Sequence, residues 1–126
     1  MCNRGRWVNA DFAEAWFLDA SKYDTSKTQL PTALTAMRLG PVGWVFHPSE
    51  LYSFYGLVIR RDSPLPDTVV VSMADGAIGY LPDERAFAAG EYSALTVPKI
   101  LGLPPYKPTA AAELTRGAVE LLQKTV

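Results

Sequence analysis

The chain has 126 residues, of which 48% are hydrophobic and 20% charged, and its formal net charge is −1. This length and composition fit a single folded domain, and no apolar run approaches the roughly 20 residues that a membrane-spanning helix needs. The near-balanced charge excludes the strong positive field by which proteins hold a nucleic-acid backbone. We therefore expect residues 1–126 to form one soluble domain without a nucleic-acid partner or a transmembrane segment.

Cysteine and histidine are both scarce, which restricts the kinds of site that the chain can build alone. Cys2 is the only cysteine and His47 is the only histidine. An internal disulfide and a zinc finger are excluded, because each needs more of these side chains. The first residues lack the continuous apolar core of a signal peptide, which places the chain in the cytoplasm if it is the complete product. Localisation is otherwise open.

The first predicted element is a helix over residues 10–21, which Asn9 is able to cap. Its apolar positions recur at helical spacing and are Phe12, Ala13, Trp16, Phe17 and Ala20. A polar loop over residues 22–29 follows. Residues 32–39 and Val42–Phe46 flank a Gly-Pro turn and are rich in large apolar or β-branched side chains, which predicts two neighbouring strands.

A second helix is predicted to start with Ser49 as its capping residue and to end before Ser63. Its apolar side chains are spaced as on one helix face: Leu51, Phe54, Tyr55 and Val58. The β-branched run over residues 68–73 then predicts a central strand buried on both faces. A loop over residues 74–79 follows it.

The last third of the chain predicts two helices separated by a proline-rich stretch. Residues 83–89 begin with an acidic residue and are followed by Gly90, which is well placed as a left-handed helix terminus. Residues 97–108 show no periodicity. Thr109 is predicted to cap a final helix with one apolar face: Leu114, Ala118, Leu121, Leu122 and Thr125. Strands that alternate with helices predict the α/β class, a small sheet with helices packed on it.

Two polar segments directly follow predicted strands, where ligands commonly bind in α/β folds. Glu50 follows the second strand, although a carboxylate in a first helical turn is also favoured by the helix dipole alone. Asp75 and Tyr80 follow the central strand, with two glycines between them. A tyrosine there is able to act as an oxygen ligand or a general acid, and a turn followed by a buried aromatic is the simpler interpretation.

Several short motifs, in order from about Leu34 to Leu122, resemble the neutral/alkaline, non-lysosomal ceramidase family. They are Thr35 to Gly40, Pro48-Ser49-Glu50-Leu51, Phe54-Tyr55-Gly56-Leu57, Arg60-Arg61-Asp62-Ser63-Pro64, Thr68-Val69-Val70-Val71, Gly76-Ala77-Ile78-Gly79-Tyr80-Leu81-Pro82, Ala86-Phe87 and Gly90-Glu91-Tyr92. The chain departs from the family at Ser49, where glycine is common, and at Asp75-Gly76, near an asparagine-containing turn.

This resemblance implies a zinc-dependent amidohydrolase that cleaves the amide of an N-acyl sphingolipid. In the family, two histidines from an amino-terminal part hold zinc together with a glutamate and a tyrosine, which correspond to Glu50 and Tyr80. Zinc polarises the amide carbonyl and activates water for attack at neutral pH.

The chain would then be a carboxy-terminal portion or a shortened relative, inactive alone, with zinc bound only if another segment or chain adds the histidines. Its expected partner is a missing amino-terminal hydrolase domain, and its substrate a lipid amide. His47 has no counterpart in this scheme, and a lone histidine is more often structural.

Two alternatives belong to other classes. The chain is also interpreted as a non-catalytic interaction domain that retains the fold, in which tryptophans and the proline-rich run form a partner surface. Core packing is the simpler role for the tryptophans, which are Trp7, Trp16 and Trp44. An unrelated enzyme would need Glu50, Asp75 and Tyr80 to converge on one pocket for acid–base chemistry.

Overall fold

The computed structural model describes residues 29–126. The helix predicted over residues 10–21, Cys2, Trp7, Trp16 and most of the loop predicted over residues 22–29 lie outside the described residues. The described elements are β1 (Thr35–Leu39), β2 (Val42–Phe46), β3 (Ser49–Leu51), α1 (Ser53–Asp62), β4 (Asp67–Val71), β5 (Gly79–Leu81), α2 (Glu84–Ala89), a π-helical turn (Tyr92–Thr96), α3 (Val97–Ile100) and α4 (Ala110–Gln123). The α/β class, with helices packed on a small sheet, is confirmed.

The strands form a three-stranded and a two-stranded sheet. In the first, β2 lies between β1, with which it forms an antiparallel hairpin, and β4, with which it pairs in parallel. The hairpin turns at Gly40, whose φ of 60° is the left-handed conformation that glycine adopts without strain. In the second sheet β3 pairs in parallel with β5. The two neighbouring strands predicted around the Gly-Pro turn are thus confirmed, although the first begins at Thr35 rather than at residue 32.

Two connections of unequal length join the two parallel ladders. Two residues separate β2 from β3, whereas seven, residues 72–78, separate β4 from β5. The longer connection forms the 72–78 loop. Backbone hydrogen bonds hold this loop against the shorter connection, residues 47–48. The Ala74 amide donates to the His47 carbonyl at 3.0 Å, and the Ile78 amide donates to the Pro48 carbonyl at 3.0 Å. The loop therefore lets both ladders keep their own register.

The two faces of the three-stranded sheet differ in what packs on them. The inner face holds a core cluster that joins β2 to α1 and α4, made of Val45, Ile59, Leu65, Ala118 and Leu122. The opposite face, here called the outer sheet face, presents Met37, Leu39, Val42, Trp44, Phe46, Val69 and Val71. A second apolar cluster lies under β5 and contains Leu81, Ala111 and Leu114.

The N-terminal boundary predicted for the second helix is wrong. The helix α1 begins at Ser53, and residues 49–51 form a strand instead. Ser49 is fully buried, and its hydroxyl bonds the Nδ1 atom of His47 at 2.9 Å rather than a free helix amide. Pairing with β5 thus overrides the helical spacing of Leu51 with the later apolar residues.

Other details also differ from the sequence predictions. The strand predicted over residues 68–73 ends at Val71, because Met73 has a φ of 58° that a strand does not allow. The prediction that it is a central strand buried on both faces is wrong, because β4 is at the edge of the three-stranded sheet and Val69 is 37% exposed. Residues 97–100 of the proline-rich stretch form α3. The hydroxyl of Thr109 donates to the Glu113 carboxylate at 2.7 Å and makes no capping bond to a backbone amide.

The helix that precedes Gly90 agrees with its prediction. The Asp83 carboxylate accepts a hydrogen bond from the Ala86 amide at 2.9 Å, and Gly90 adopts a φ of 65°. Among the helices between residues 29 and 126, none has both the length and the apolar character that crossing a membrane requires.

Candidate functional site

Glu50 and Tyr80 are direct partners in the parallel pairing of β3 with β5. Neighbouring strands lie about 4.8 Å apart, and paired residues in a ladder project their side chains to the same face. Both side chains are half-buried. The structure therefore brings together the two residues that the resemblance implied as ligands, although they are far apart in the sequence.

The proximity of the two groups changes the acidity of the tyrosine. The Glu50 carboxylate raises the pKa of the Tyr80 hydroxyl above its usual value of 10.0, first by accepting its hydrogen bond and then by its negative charge. Because a charged phenolate beside a carboxylate is unfavourable, the phenol keeps its proton at neutral pH. Any ligand that needs the phenolate must therefore displace this proton.

Tyr52 supports the same face from the end of β3. Its hydroxyl donates to the Glu91 carboxylate at 2.9 Å and lies 2.6 Å from the Ser93 hydroxyl. Its ring meets the Tyr80 ring edge to face, with centroids 6.5 Å apart. The sequence interpretation gave no role to Tyr52 or Ser93. No local signal identified them, because the sequence predicted a helix from Ser49 and Tyr52 lies just after β3.

The paired side chains carry a carboxylate and a phenol oxygen. Carboxylate and phenolate oxygens are suitable zinc ligands, and a zinc site usually has four ligands. Across residues 29–126, no group of three or more His, Cys, Asp or Glu side chains is positioned to hold a metal ion. Within that part of the chain, Glu50 and Tyr80 are two oxygen-bearing side chains, fewer than the four ligands of a usual zinc site.

His47 does not join this pair. It is fully buried, with Nδ1 at 2.9 Å from the Ser49 hydroxyl and Nε2 at 3.3 Å from the Ser72 hydroxyl. Ser49 and Glu50 are consecutive in β3, so their side chains project to opposite faces. His47 therefore links β3 to the start of the 72–78 loop, and its role in the described chain is structural.

Burial lowers the pKa of His47 below its usual value of 6.5. The unfolded chain takes up a proton at about that usual value, whereas the folded chain keeps the imidazole neutral to a lower pH. The stabilisation by neutral His47 is thus complete above pH 6.5 and is lost as the pH falls below it. We expect the free energy of unfolding of the native chain to fall more steeply below that pH than that of His47→Gln, measured by urea denaturation.

The variant retains every other titratable group of the chain, so the difference between the two curves isolates His47. Glutamine is a suitable replacement because its amide is able to bond both serine hydroxyls. Parallel curves from neutral pH to pH 5 would contradict the assignment of a buried, neutral imidazole.

Asp75 does not converge on the pair. It is exposed in the 72–78 loop with a φ of 56°, and no hydrogen bond or ion pair joins its carboxylate to Glu50 or Tyr80. A groove of about 610 Å³ lies beside Leu81 and the start of α4, lined in part by Leu103 and Tyr106. This groove is on the opposite side of β5 from Tyr80, because alternate residues face opposite ways.

Comparisons of the chain with protein-family models, with curated proteins and with solved structures find no match. The ceramidase resemblance stays a prediction.

Proposed function

We propose that the chain is a carboxy-terminal portion or shortened relative of a ceramidase-like, zinc-dependent amidohydrolase. In this proposal Glu50 and Tyr80 contribute two oxygen ligands, and histidines from another segment or chain complete the metal site. The substrate class is an N-acyl sphingolipid or a similar lipid amide. The pairing of Glu50 with Tyr80 across β3 and β5 is the observation that carries the proposal.

The chemistry of the surrounding residues supports this assignment. When bound, zinc supplies a Lewis acid that polarises the carbonyl of an amide. Glu50 is paired with Tyr80 in the ladder, and its carboxylate raises the pKa of the Tyr80 hydroxyl. Tyr52, anchored by Glu91 and Ser93, places its ring against the ring of Tyr80 and restricts its movement. Residues around a metal ligand that fix its orientation commonly affect metal affinity by about 10–100-fold.

The first test is a zinc titration of the purified chain by calorimetry. We expect weak binding that strengthens as the pH rises, because zinc must displace the raised-pKa proton of Tyr80. Glu50→Gln and Tyr80→Phe should each weaken zinc binding by about tenfold or more. We expect no ceramide hydrolysis by the isolated chain.

Matched variants away from the pair control for general effects on the fold. Glu120→Gln removes an exposed carboxylate on α4, and Tyr55→Phe removes a phenol from α1. Both should bind zinc like the native chain. Equal binding by all four variants, or no zinc binding by the native chain, would refute the assignment of Glu50 and Tyr80 as ligands. Robust metal-dependent ceramide cleavage by the chain alone would refute its description as a partial site.

The outer sheet face favours a second candidate, a non-catalytic interaction domain. Met37 is 44% exposed, Leu39 is 65% exposed and Val69 is 37% exposed on this face. Contiguous exposed apolar surface commonly marks an interaction site. This candidate predicts no zinc binding, so the titration separates the two functions.

A further inference from the structure

Besides its structural role, His47 places a base beside an exposed hydroxyl. Its Nε2 atom lies 3.3 Å from the hydroxyl oxygen of Ser72. Ser72 is exposed at the start of the 72–78 loop, whereas His47 is fully buried. A serine within hydrogen-bond reach of a histidine is the arrangement that activates a serine nucleophile, and this distance is often long in structures without substrate. Small molecules in solution therefore reach the hydroxyl but not the base.

A third side chain fixes the orientation of this histidine. The Ser49 hydroxyl belongs to a fully buried residue and lies 2.9 Å from Nδ1 of His47. We assign the hydrogen on Nδ1 to the bond with Ser49, which leaves the lone pair of Nε2 to accept the proton of Ser72. Nucleophile, base and orienting group thus follow one another as in serine hydrolases, with a serine in place of the usual carboxylate.

The imidazole is uncharged at neutral pH, as a general base must be. Burial lowers the pKa of His47, and no charged side chain of the described residues contributes to this shift. The titratable side chains of the adjoining strands and loop are Asp67 at the far end of β4, Glu50 in β3 and Asp75, and none of them bonds the imidazole. The lone pair of Nε2 therefore stays free down to a pH below 6.5.

The chain turns sharply directly after Ser72. Met73 has a φ of 58° and Asp75 has a φ of 56°, and these are the two non-glycine residues with a left-handed backbone in the described chain. Such conformations cost about 1–3 kcal/mol each and cluster at active sites. The Ala74 amide donates to the His47 carbonyl at 3.0 Å. The strained turn is therefore tied to the backbone of the same histidine that contacts Ser72.

The loop also contains backbone donors that its own structure does not use. The amides of residues 75–77 make no hydrogen bond with the described part of the chain. Backbone amides close to a nucleophile are common donors to the oxygen anion that forms during acyl transfer. These amides follow Ser72 within the same loop, so they are available for that purpose.

We propose that Ser72 is the nucleophile of an acyl-transfer site for small activated esters, with His47 as its general base and Ser49 as the residue that positions His47. The Ser72 oxygen attacks the ester carbonyl while Nε2 of His47 takes its proton. The imidazolium then gives this proton to the departing alcohol, and the acyl group stays on Ser72 as an ester. A water molecule, deprotonated by His47, releases the acyl group as a carboxylic acid and restores the serine.

The orienting group limits the substrate class. The neutral hydroxyl of Ser49 stabilises an imidazolium less than a carboxylate does, so an ester with a good leaving group is favoured over an amide. The exposure of Ser72 suits a small molecule. Ser49 and Glu50 project to opposite faces of β3, so this site is separate from the pair of Glu50 and Tyr80, and its chemistry uses no metal ion.

The test is covalent labelling of the full chain, in the presence of EDTA, with a fluorophosphonate that reacts with activated serines. Peptide mapping by mass spectrometry should find the label on Ser72. Ser72→Ala should abolish labelling, whereas Ser53→Ala should leave it unchanged, because Ser53 is an exposed serine that the single histidine does not contact. His47→Gln should lower the labelling rate by about 100-fold or more, since a general base contributes at least that much.

The pH dependence of labelling separates the base from a merely structural histidine. In the native chain the rate should follow the neutral imidazole, with a midpoint below pH 6.5 and a plateau above it. An unassisted hydroxyl instead becomes more reactive continuously as the pH rises. Ser49→Ala should move the midpoint and lower the plateau by about tenfold or more, because a displaced base loses much of its effect.

Reaction with p-nitrophenyl acetate tests acyl transfer itself. We expect an acetyl group on Ser72 that the native chain removes with time and that Ser72→Ala never acquires. Labelling elsewhere than at Ser72, equal labelling rates for the native chain and a folded His47→Gln, or a rate that rises with pH without a plateau would each overturn the proposal. Urea denaturation at neutral pH shows whether His47→Gln is folded, and the pH profile of the native chain decides if it is not.

Discussion

Replacing Leu122 by alanine is expected to lower the free energy of unfolding by about 3 kcal/mol, within the range of about 2–5 kcal/mol for such truncations in well-packed cores. Leu122 is fully buried in α4 and belongs to the cluster that joins both helices to β2. Its removal leaves a cavity at the centre of three elements, and none of them is able to close it without moving the others. Urea denaturation measures the effect as a lower midpoint with an unchanged slope.

Leu57→Ala is the matched control for this truncation. Leu57 is in α1 and is 62% exposed, so the same chemical change there removes little buried surface. Its effect should stay within about 0.5 kcal/mol. A similar decrease in the free energy of unfolding for both variants would show that α4 does not pack on the sheet as described.

Alanine at Gly43 is expected to destabilise the chain by about 1–3 kcal/mol, the usual range for overpacking a core. A Cβ atom at this position would lie 2.8 Å from Cδ1 of Leu65 and 3.0 Å from Cδ2 of Leu122. Both leucine side chains are buried, so neither has free space to move into. Thermal and urea denaturation of the variant measure the loss.

The same substitution at Gly56 should have the opposite sign. No atom lies within 4 Å of a Cβ placed there, and glycine inside a helix costs about 0.5–1 kcal/mol relative to alanine. Combining Gly43→Ala with Leu122→Ala adds a second control, because the cavity left by one change accommodates the methyl group of the other. The double variant should be more stable than additivity predicts, and strict additivity would contradict the contact.

Elements with strong local patterns were predictable from the sequence. The apolar residues of α4 recur on one helix face over several turns. Strand β4 consists mainly of β-branched residues. The terminus at Gly90 follows from the conformational freedom of glycine and needs no tertiary information. In these cases local and tertiary preferences agree, which is why the pattern sufficed.

The strands β3 and β5 were not predictable in this way. Each has only three residues, too few for a periodic signal, and each forms because the other pairs with it. In β3 the spacing of Leu51 with later apolar residues imitates a helix, and only the long-range pairing shows otherwise. The strand pairing is therefore a tertiary property.

The candidate site was predictable in part. Glu50 and Tyr80 were named through a family resemblance, but their adjacency depends on the excess length of the 72–78 loop, which no local pattern specifies. The contacts of Tyr52 with Glu91 and Ser93 join residues 39 and 41 positions apart. Contacts at such separations require the folded chain.

If the proposed function holds, the pairing of β3 with β5 also links ligand binding to folding. Helix α1 and strand β4 lie between the two strands in the sequence, so Glu50 meets Tyr80 only when both of these elements are in place. A ligand held by both side chains has no comparable site in the unfolded chain. At a free concentration one hundred times its dissociation constant, such a ligand stabilises the entire domain by about 2.7 kcal/mol. A rise in melting temperature with ligand that is lost in Glu50→Gln and Tyr80→Phe therefore reports binding at this pair.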